Sequence, residues 1–236
     1  MVGQGTIGKS SFKIARENIV MPKFPSCLML AALVLAGFAM MAIGQTTAPA
    51  TRPSTVGTIT ATATDVVPLD EGASIPKLTL KAVDGSAYDL NASVAKKPTV
   101  LIFYRGGWCP FCNQQMSGLQ GVVKDLNDAG YQLLAISPDK PEELAKSIDK
   151  HALTYTLLSD SDAAAIQAFG LAFKAPPSLY SRLELYSGQT HHALPVPAVY
   201  IVGTDGTVKF VYFDPNYKKR MDPAEIVEQA KAALTK

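Results

Sequence analysis

The chain has 236 residues, the size of one domain with appendages, and its balance of 47% apolar to 18% charged residues excludes a disordered polymer. Residues 1–44 hold Lys9, Lys13, Arg16 and Lys23 against Glu17, a net of +3, so the formal +2 leaves residues 45–236 at −1. No basic face remains for nucleic acid and no cationic stripe for a membrane surface.

Residues 28–43 form an uncharged apolar run preceded by Lys23, with a small-x-small exit at Ala42-Ile43-Gly44. That is the pattern of a secretory signal peptide, with synthesis starting at Met21 and a cut before Gln45. An uncleaved anchor is the alternative, because the run falls only a little short of a bilayer span, and a membrane enters only in that case. The expected location is outside the cytoplasm, periplasmic or extracytoplasmic. Residues 45–69 are almost all Thr, Ala, Ser, Pro and Val and are expected to be a linker, with the stretch near residue 58 able to add an edge strand. The folded domain is expected over 70–236.

From Ile75 the pattern becomes globular. Lys77–Ala82 alternates ahead of the turn Asp84-Gly85, as in a hairpin, and TVLIFY at 99–104 reads as a strand buried on both faces. Met116, Leu119, Val122, Val123 and Leu126 share a helical face within 110–129, which Gly130 ends. A strand at 131–136, a helix at 141–151, a strand at 155–158 and a short helix at 162–169 follow. A helical turn is expected around Leu179, Leu183 and Tyr186. Then come a hairpin of 198–202 with 208–213 and a last helix from Pro223. The alternation gives an α/β fold, a central mixed β-sheet flanked by helices on both faces.

Three cysteines are present, and Cys27 would leave with a cleaved signal peptide. Cys109 and Cys112 stand in Trp-Cys-Pro-Phe-Cys, directly after a buried strand and at the start of a helix. Two cysteines three apart there lie on one face of the first turn. The outer one sits against unpaired N–H groups and the positive end of the helix dipole, which favours the thiolate. Cys109 is therefore the expected nucleophile and Cys112 the sulfur that resolves a mixed disulfide on it. Trp108 would shield the pair. Arg105 would add positive potential or be a plain surface cation. A purely structural disulfide and a metal site completed by His191 and His192 are the alternatives, the second making the protein a non-enzymatic metal-binding module. Lys218-Lys219-Arg220 reads as a solvated run. Pro197 precedes the strand 198–202, where it would shape a docking groove; a cis bond after Val196 would offer the Val196 backbone to an extended substrate.

These residues resemble the thioredoxin superfamily. The segments FYRGGWCPFCNQQM at 103–116, FGLAFK at 169–174, LPVPAVYIVGTDG at 194–206 and DPNYKKR at 214–220 are similar to the peroxiredoxin-like branch of the alkyl hydroperoxide reductase/thiol-specific antioxidant family. The resemblance implies a thioredoxin-like fold and a cofactor-free antioxidant or disulfide-exchange enzyme. Its partners would be protein disulfides or dithiols, or small hydroperoxides, together with an external thiol reductant. It places Cys112 where a peroxiredoxin has its peroxide-attacking cysteine and Cys109 where it has a helper threonine. Arg105 stands where the loop proline would be, and Pro197 where the peroxide-polarising arginine would be. On that count the peroxidase set is incomplete, so disulfide exchange is the first expectation and thiol peroxidase the second. Measured against thioredoxin, Phe103 replaces the buried acid, leaving Tyr104 or a water to move the proton of Cys112.

Overall fold

The computed structural model describes residues 55–235. The signal-like run, Cys27 and residues 45–54 of the expected linker lie outside them. Among the described residues no helix is long and apolar enough to cross a membrane.

A seven-stranded sheet runs in the order β2-β1-β5-β4-β3-β8-β9. Its strands are β1 (Thr79–Lys81), β2 (Ala87–Asp89), β3 (Thr99–Phe103), β4 (Gln132–Ser137), β5 (Thr156–Ser159), β8 (Ala198–Val202) and β9 (Val208–Phe213). β3, β4 and β5 are parallel, and β8 pairs antiparallel with β3 in the register Phe103 to Ala198. Every residue of β3 and β8 is buried, as expected of strands covered on both faces. The fold class read from the sequence is the one observed.

The period of two divides these strands between two cores. Val100, Ile102, Leu133 and Ala135 face α2 (Pro110–Asp128), α3 (Pro141–His151) and α6 (Pro223–Ala233), meeting Met116, Leu119, Leu144 and Ile226. Leu101, Phe103, Leu134 and Ile136 face α1 (Leu90–Val94) and α4 (Ala164–Ala168), meeting Leu90, Val94 and Ile166. Each face buries a near-continuous aliphatic layer, at roughly 1.5–3 kcal/mol per large side chain.

Three features depart from the sequence reading. A second, two-stranded sheet joins β6 (Ala172–Lys174) to β7 (Ala193–Pro195), neither of them among the expected strands. It brackets α5 (Tyr180–Ser187), where a helical turn was expected. The short helix α1 was not anticipated either. Finally, residues 55–69 are packed against the domain rather than forming a linker. Thr60 bridges Phe173, with Thr60 N–H donating to Ala172 O at 3.0 Å and Lys174 N–H to Thr60 O at 2.9 Å, and Val66 is buried. The edge of β6 supplies backbone partners that composition does not reveal.

Candidate active site

Parallel β3 and β4 end side by side, so the loops after them converge at one edge of the sheet. The loop after β3, Tyr104 to Trp108, carries the chain into α2. Cys109 is the N-cap of α2 and Pro110 its first residue, where the missing N–H costs no hydrogen bond. Cys112 lies one position short of a full turn further in. Both cysteines are free thiols, and both are buried, at 1% and 0% exposure.

The two sulfurs are not equivalent. Cys109 is held down at about 6, first by the Cys112 thiol beside it and then, against its own burial, by a backbone N–H and the guanidinium groups of Arg105 and Arg220. Cys112 is pushed up by that same partnership with Cys109 and by burial, while Arg220 and the Arg105 backbone N–H pull it down. Near neutral pH the pair therefore carries one negative charge and shares one proton.

Arg220 is the largest departure from the sequence reading. It is not part of a solvated run: it is half-buried, with Nη2 3.6 Å from Cys112 Sγ, Nε donating to Gln115 Oε1 at 2.9 Å and Nη1 to Lys219 O at 2.7 Å. The helix that follows it explains the placement. Asp222 caps α6 by accepting from Ala224 N–H, Pro223 opens it, and Pro223 packs so close to Gly118 of α2 that a Cβ there would lie 3.0 Å from Pro223 Cγ. A guanidinium thus reaches Cys112 from another element, while the Pro197 position offers none. Local sequence offered no signal for it, because it depends on α6 docking on α2.

Arg105 is buried rather than a surface cation, its guanidinium 4.1 Å from the Tyr217 ring and 5.0 Å from that of Trp108. Tyr217 in turn meets Phe111 edge to face. Trp108 and Phe111 pack on the hydrophobic core that contains both sulfurs. Between α2 and the start of α6 lies a cavity of about 360 Å³, lined by Phe111, Gln114, Gln115, Lys218, Arg220 and Pro223 among others. It opens on Arg220 and Gln115, the residues that lead to Cys112.

A buried carboxylate is present after all, on the loop after β4 rather than on β3. Asp139 accepts from Gly107 N–H at 2.7 Å, and burial raises it to about 7. Tyr104 is fully buried with its hydroxyl near Ser137, and burial and the neighbouring Asp139 drive its pKa well up; Cys112 acts on it in the same sense. Tyr104 thus feels both Asp139 and the inner sulfur. Asp139 was findable, as an acid at the carboxyl end of a strand adjoining β3.

Pro197 is buried at the start of β8, level with the end of β3 through the Phe103–Ala198 pairing. Its peptide bond is trans, and Val196 N–H donates to Leu171 O at 2.9 Å, so that donor is taken within the fold. His191 and His192 are not brought to the cysteines. His191 Nε2 meets Ser161 O at 3.0 Å, and His192 meets Glu184 at 2.6 Å while stacking on Tyr180.

Comparison with known proteins agrees with this geometry. The AhpC/TSA family model matches residues 72–211. Peroxiredoxin Bcp of Escherichia coli K12 is 29% identical over 147 residues, 62% of this chain and 87% of its own length. The putative peroxiredoxin Rv2521 of Mycobacterium tuberculosis is 31% identical over 140 residues, 59% of this chain and 82% of its own. Among solved structures, peroxidoxin BcpB of Mycobacterium tuberculosis superposes with a TM-score of 0.56 at 20% identity, covering 71% of this chain and 97% of that one. A strand-to-helix cysteine pair on a thioredoxin-like sheet, in a sequence matched over most of its folded part, places this chain in the AhpC/TSA family as a thiol-based oxidoreductase.

Proposed function

We propose that the protein is a peroxiredoxin-type thiol peroxidase in which Cys112 takes the peroxide oxygen and Cys109 resolves it. The observation that carries this reading is the Arg220 guanidinium, 3.6 Å from the sulfur that occupies the family's peroxide-attacking position. A fixed cation there stabilises both the thiolate and the charge that develops as the O–O bond breaks, without reorganisation during the reaction.

One shared proton suffices for the first step. It passes from Cys112 to Cys109, and the Cys112 thiolate attacks the outer peroxide oxygen. The O–O bond breaks, the departing alkoxide takes the proton back from Cys109, and Cys112 becomes a sulfenic acid. The regenerated Cys109 thiolate then attacks the Cys112 sulfur. The S–O bond breaks, the hydroxide leaves as water with a proton from solvent, and a Cys109–Cys112 disulfide remains. Two external thiols restore the dithiol.

A second reading is plain disulfide exchange led by Cys109. It is favoured by the depression of that thiol to about 6 at the helix start. The arginine separates the two. Arg220→Gln should slow peroxide consumption by the reduced protein by about a hundredfold, the usual cost of losing one preorganised donor to developing charge. Disulfide exchange through Cys109 should change far less. Equal peroxide rates in the variant and wild type, measured by stopped-flow with hydrogen peroxide, would remove the peroxidase reading.

A further inference from the structure

Two cations, Arg105 and Arg220, act on the cysteine pair, and two more, Arg182 and Lys218, lie over the rings that flank it; each rests on an aromatic ring or on sulfur rather than on an acid. Arg105 lies between Trp108 and Tyr217, Arg182 sits 5.6 Å over Trp108, Lys218 lies 5.9 Å over Phe111, and Arg220 contacts Cys112. Among the described residues none of the four is within ion-pair distance of a carboxylate. The acids near them in sequence are engaged elsewhere: Glu184 with His192, Asp214 with Lys219, and Asp222 as the cap of α6. This concentration runs against the rest of the domain, since residues 55–235 hold 16 Lys and Arg against 19 Asp and Glu. An ordinary sampling of this surface would give a site that repels anions.

We propose that this rim is a binding site for the anionic thiol that reduces the enzyme, a small thiol carrying a carboxylate or sulfonate. The proposal rests on the Cys109–Cys112 disulfide being the oxidised form, which both readings above share. In the reducing step the donor thiolate attacks Cys109, the outer sulfur at the helix start. The Cys109–Cys112 bond breaks, a mixed disulfide forms on Cys109, and Cys112 leaves as a thiolate beside Arg220 before taking a proton. A second donor thiolate attacks the donor sulfur of that mixed disulfide, giving the oxidised donor and free Cys109. Two donor thiols are oxidised and one protein disulfide is reduced. The rim acts before the chemistry, by raising the local concentration of a negatively charged donor. Arg182 and Lys218 are exposed, and neither touches a sulfur, so their charge can be removed without altering the reacting groups.

The test uses the full chain, oxidised with diamide so that disulfide formation does not depend on any peroxidase activity. Trp108 is the sole tryptophan, is adjacent in sequence to Cys109 and packs against the core that contains the pair, so its fluorescence follows reduction in stopped-flow. Three donors of similar size are compared per thiolate: 2-mercaptoethanesulfonate, 2-mercaptoethanol and cysteamine. The expected order at low salt is anion, neutral, cation, with about tenfold between the first two, collapsing as salt is raised. Lys218→Gln, and Lys218→Gln with Arg182→Gln, should shrink the ratio of the sulfonate rate to the 2-mercaptoethanol rate stepwise, as expected for a steering charge. Equal rates for the three donors, a preference for cysteamine, or a sulfonate advantage unchanged in both variants would overturn the proposal. Failure of peroxide to form the disulfide, with this order intact, would count against the peroxidase reading alone.

Discussion

Asp139 and Asp160 show what burial does to a single residue here. Each is raised from 3.8 to about 7, chiefly by desolvation and against the backbone N–H groups that it accepts from: Gly107 for Asp139, Ala165 and Ile166 for Asp160. The folded state thus keeps protons that the unfolded chain releases from pH 4 upward, and the sign follows. Between about pH 4 and 6 unfolding releases protons, so stability falls as pH rises. Above pH 6 the reduced protein gains an opposing contribution from Cys109, whose folded value of about 6 lies below the 9.0 of a free thiol. The urea midpoint of the reduced protein should therefore be higher at pH 4.5 than at pH 6, by an amount worth on the order of a few kcal/mol. Asp139→Asn keeps an acceptor for Gly107 and should flatten that slope. A midpoint that rises from pH 4.5 to 6 would contradict the assignment. At this scale the sequence displayed the cysteines and their neighbours Trp108 and Pro110, because their chemistry is local. Arg220 and Asp139 stayed hidden because their roles depend on distances of 108 and 32 positions along the chain to Cys112 and Gly107.

Elements with strong periodicity were legible and short ones were not. α2 declared itself through Met116, Leu119 and Leu126, all buried, and β3 through five consecutive buried residues. β6 and β7 have three residues each and are fixed by pairing Phe173 with Leu194 across the intervening α5, which no local window contains. The loop joining β3 to α2 also has a constraint that the motif alone did not expose. Gly106 has φ +134°, and a Cβ there would lie 2.5 Å from both Asp139 Oδ1 and Trp108 Nε1. Only glycine adopts that backbone without strain. Gly106→Ala should move the indole and the carboxylate together, costing on the order of 1–3 kcal/mol of stability. It should also change the Trp108 fluorescence of the reduced protein. An unchanged spectrum and melting temperature would show that the loop is free to adjust.

For the whole molecule, the alternation of strands and helices gave the sheet and its two helical layers, and the position of the cysteine pair gave the working edge. The sequence did not give the second half of the site, which α6 brings from the far end of the chain. That half reverses one chemical expectation. With Pro197 in place of the family's strand arginine, peroxide chemistry ranked below disulfide exchange; Arg220 at 3.6 Å from Cys112 is what moves the proposed reading to peroxide chemistry at the inner sulfur. Charge is similarly uneven at this scale, since a domain with an excess of acids places Arg105 and Arg220 at its two described cysteines and Arg182 and Lys218 over the neighbouring Trp108 and Phe111 rings.

The central claim is that Cys112 takes the peroxide oxygen, and single-cysteine variants address it directly. Cys109→Ser removes the partner that does most to hold Cys112 up, so its thiol should ionise at lower pH than in the wild type, with Arg220 still beside it. One equivalent of hydrogen peroxide, followed by trapping with dimedone and peptide mass spectrometry, should then place a rapidly formed sulfenic acid on Cys112. Cys112→Ser treated in the same way should react no faster than an ordinary thiol. Rapid labelling of Cys109 in Cys112→Ser, with Cys109→Ser inert, would contradict the account and make Cys109 the sulfur that meets the peroxide.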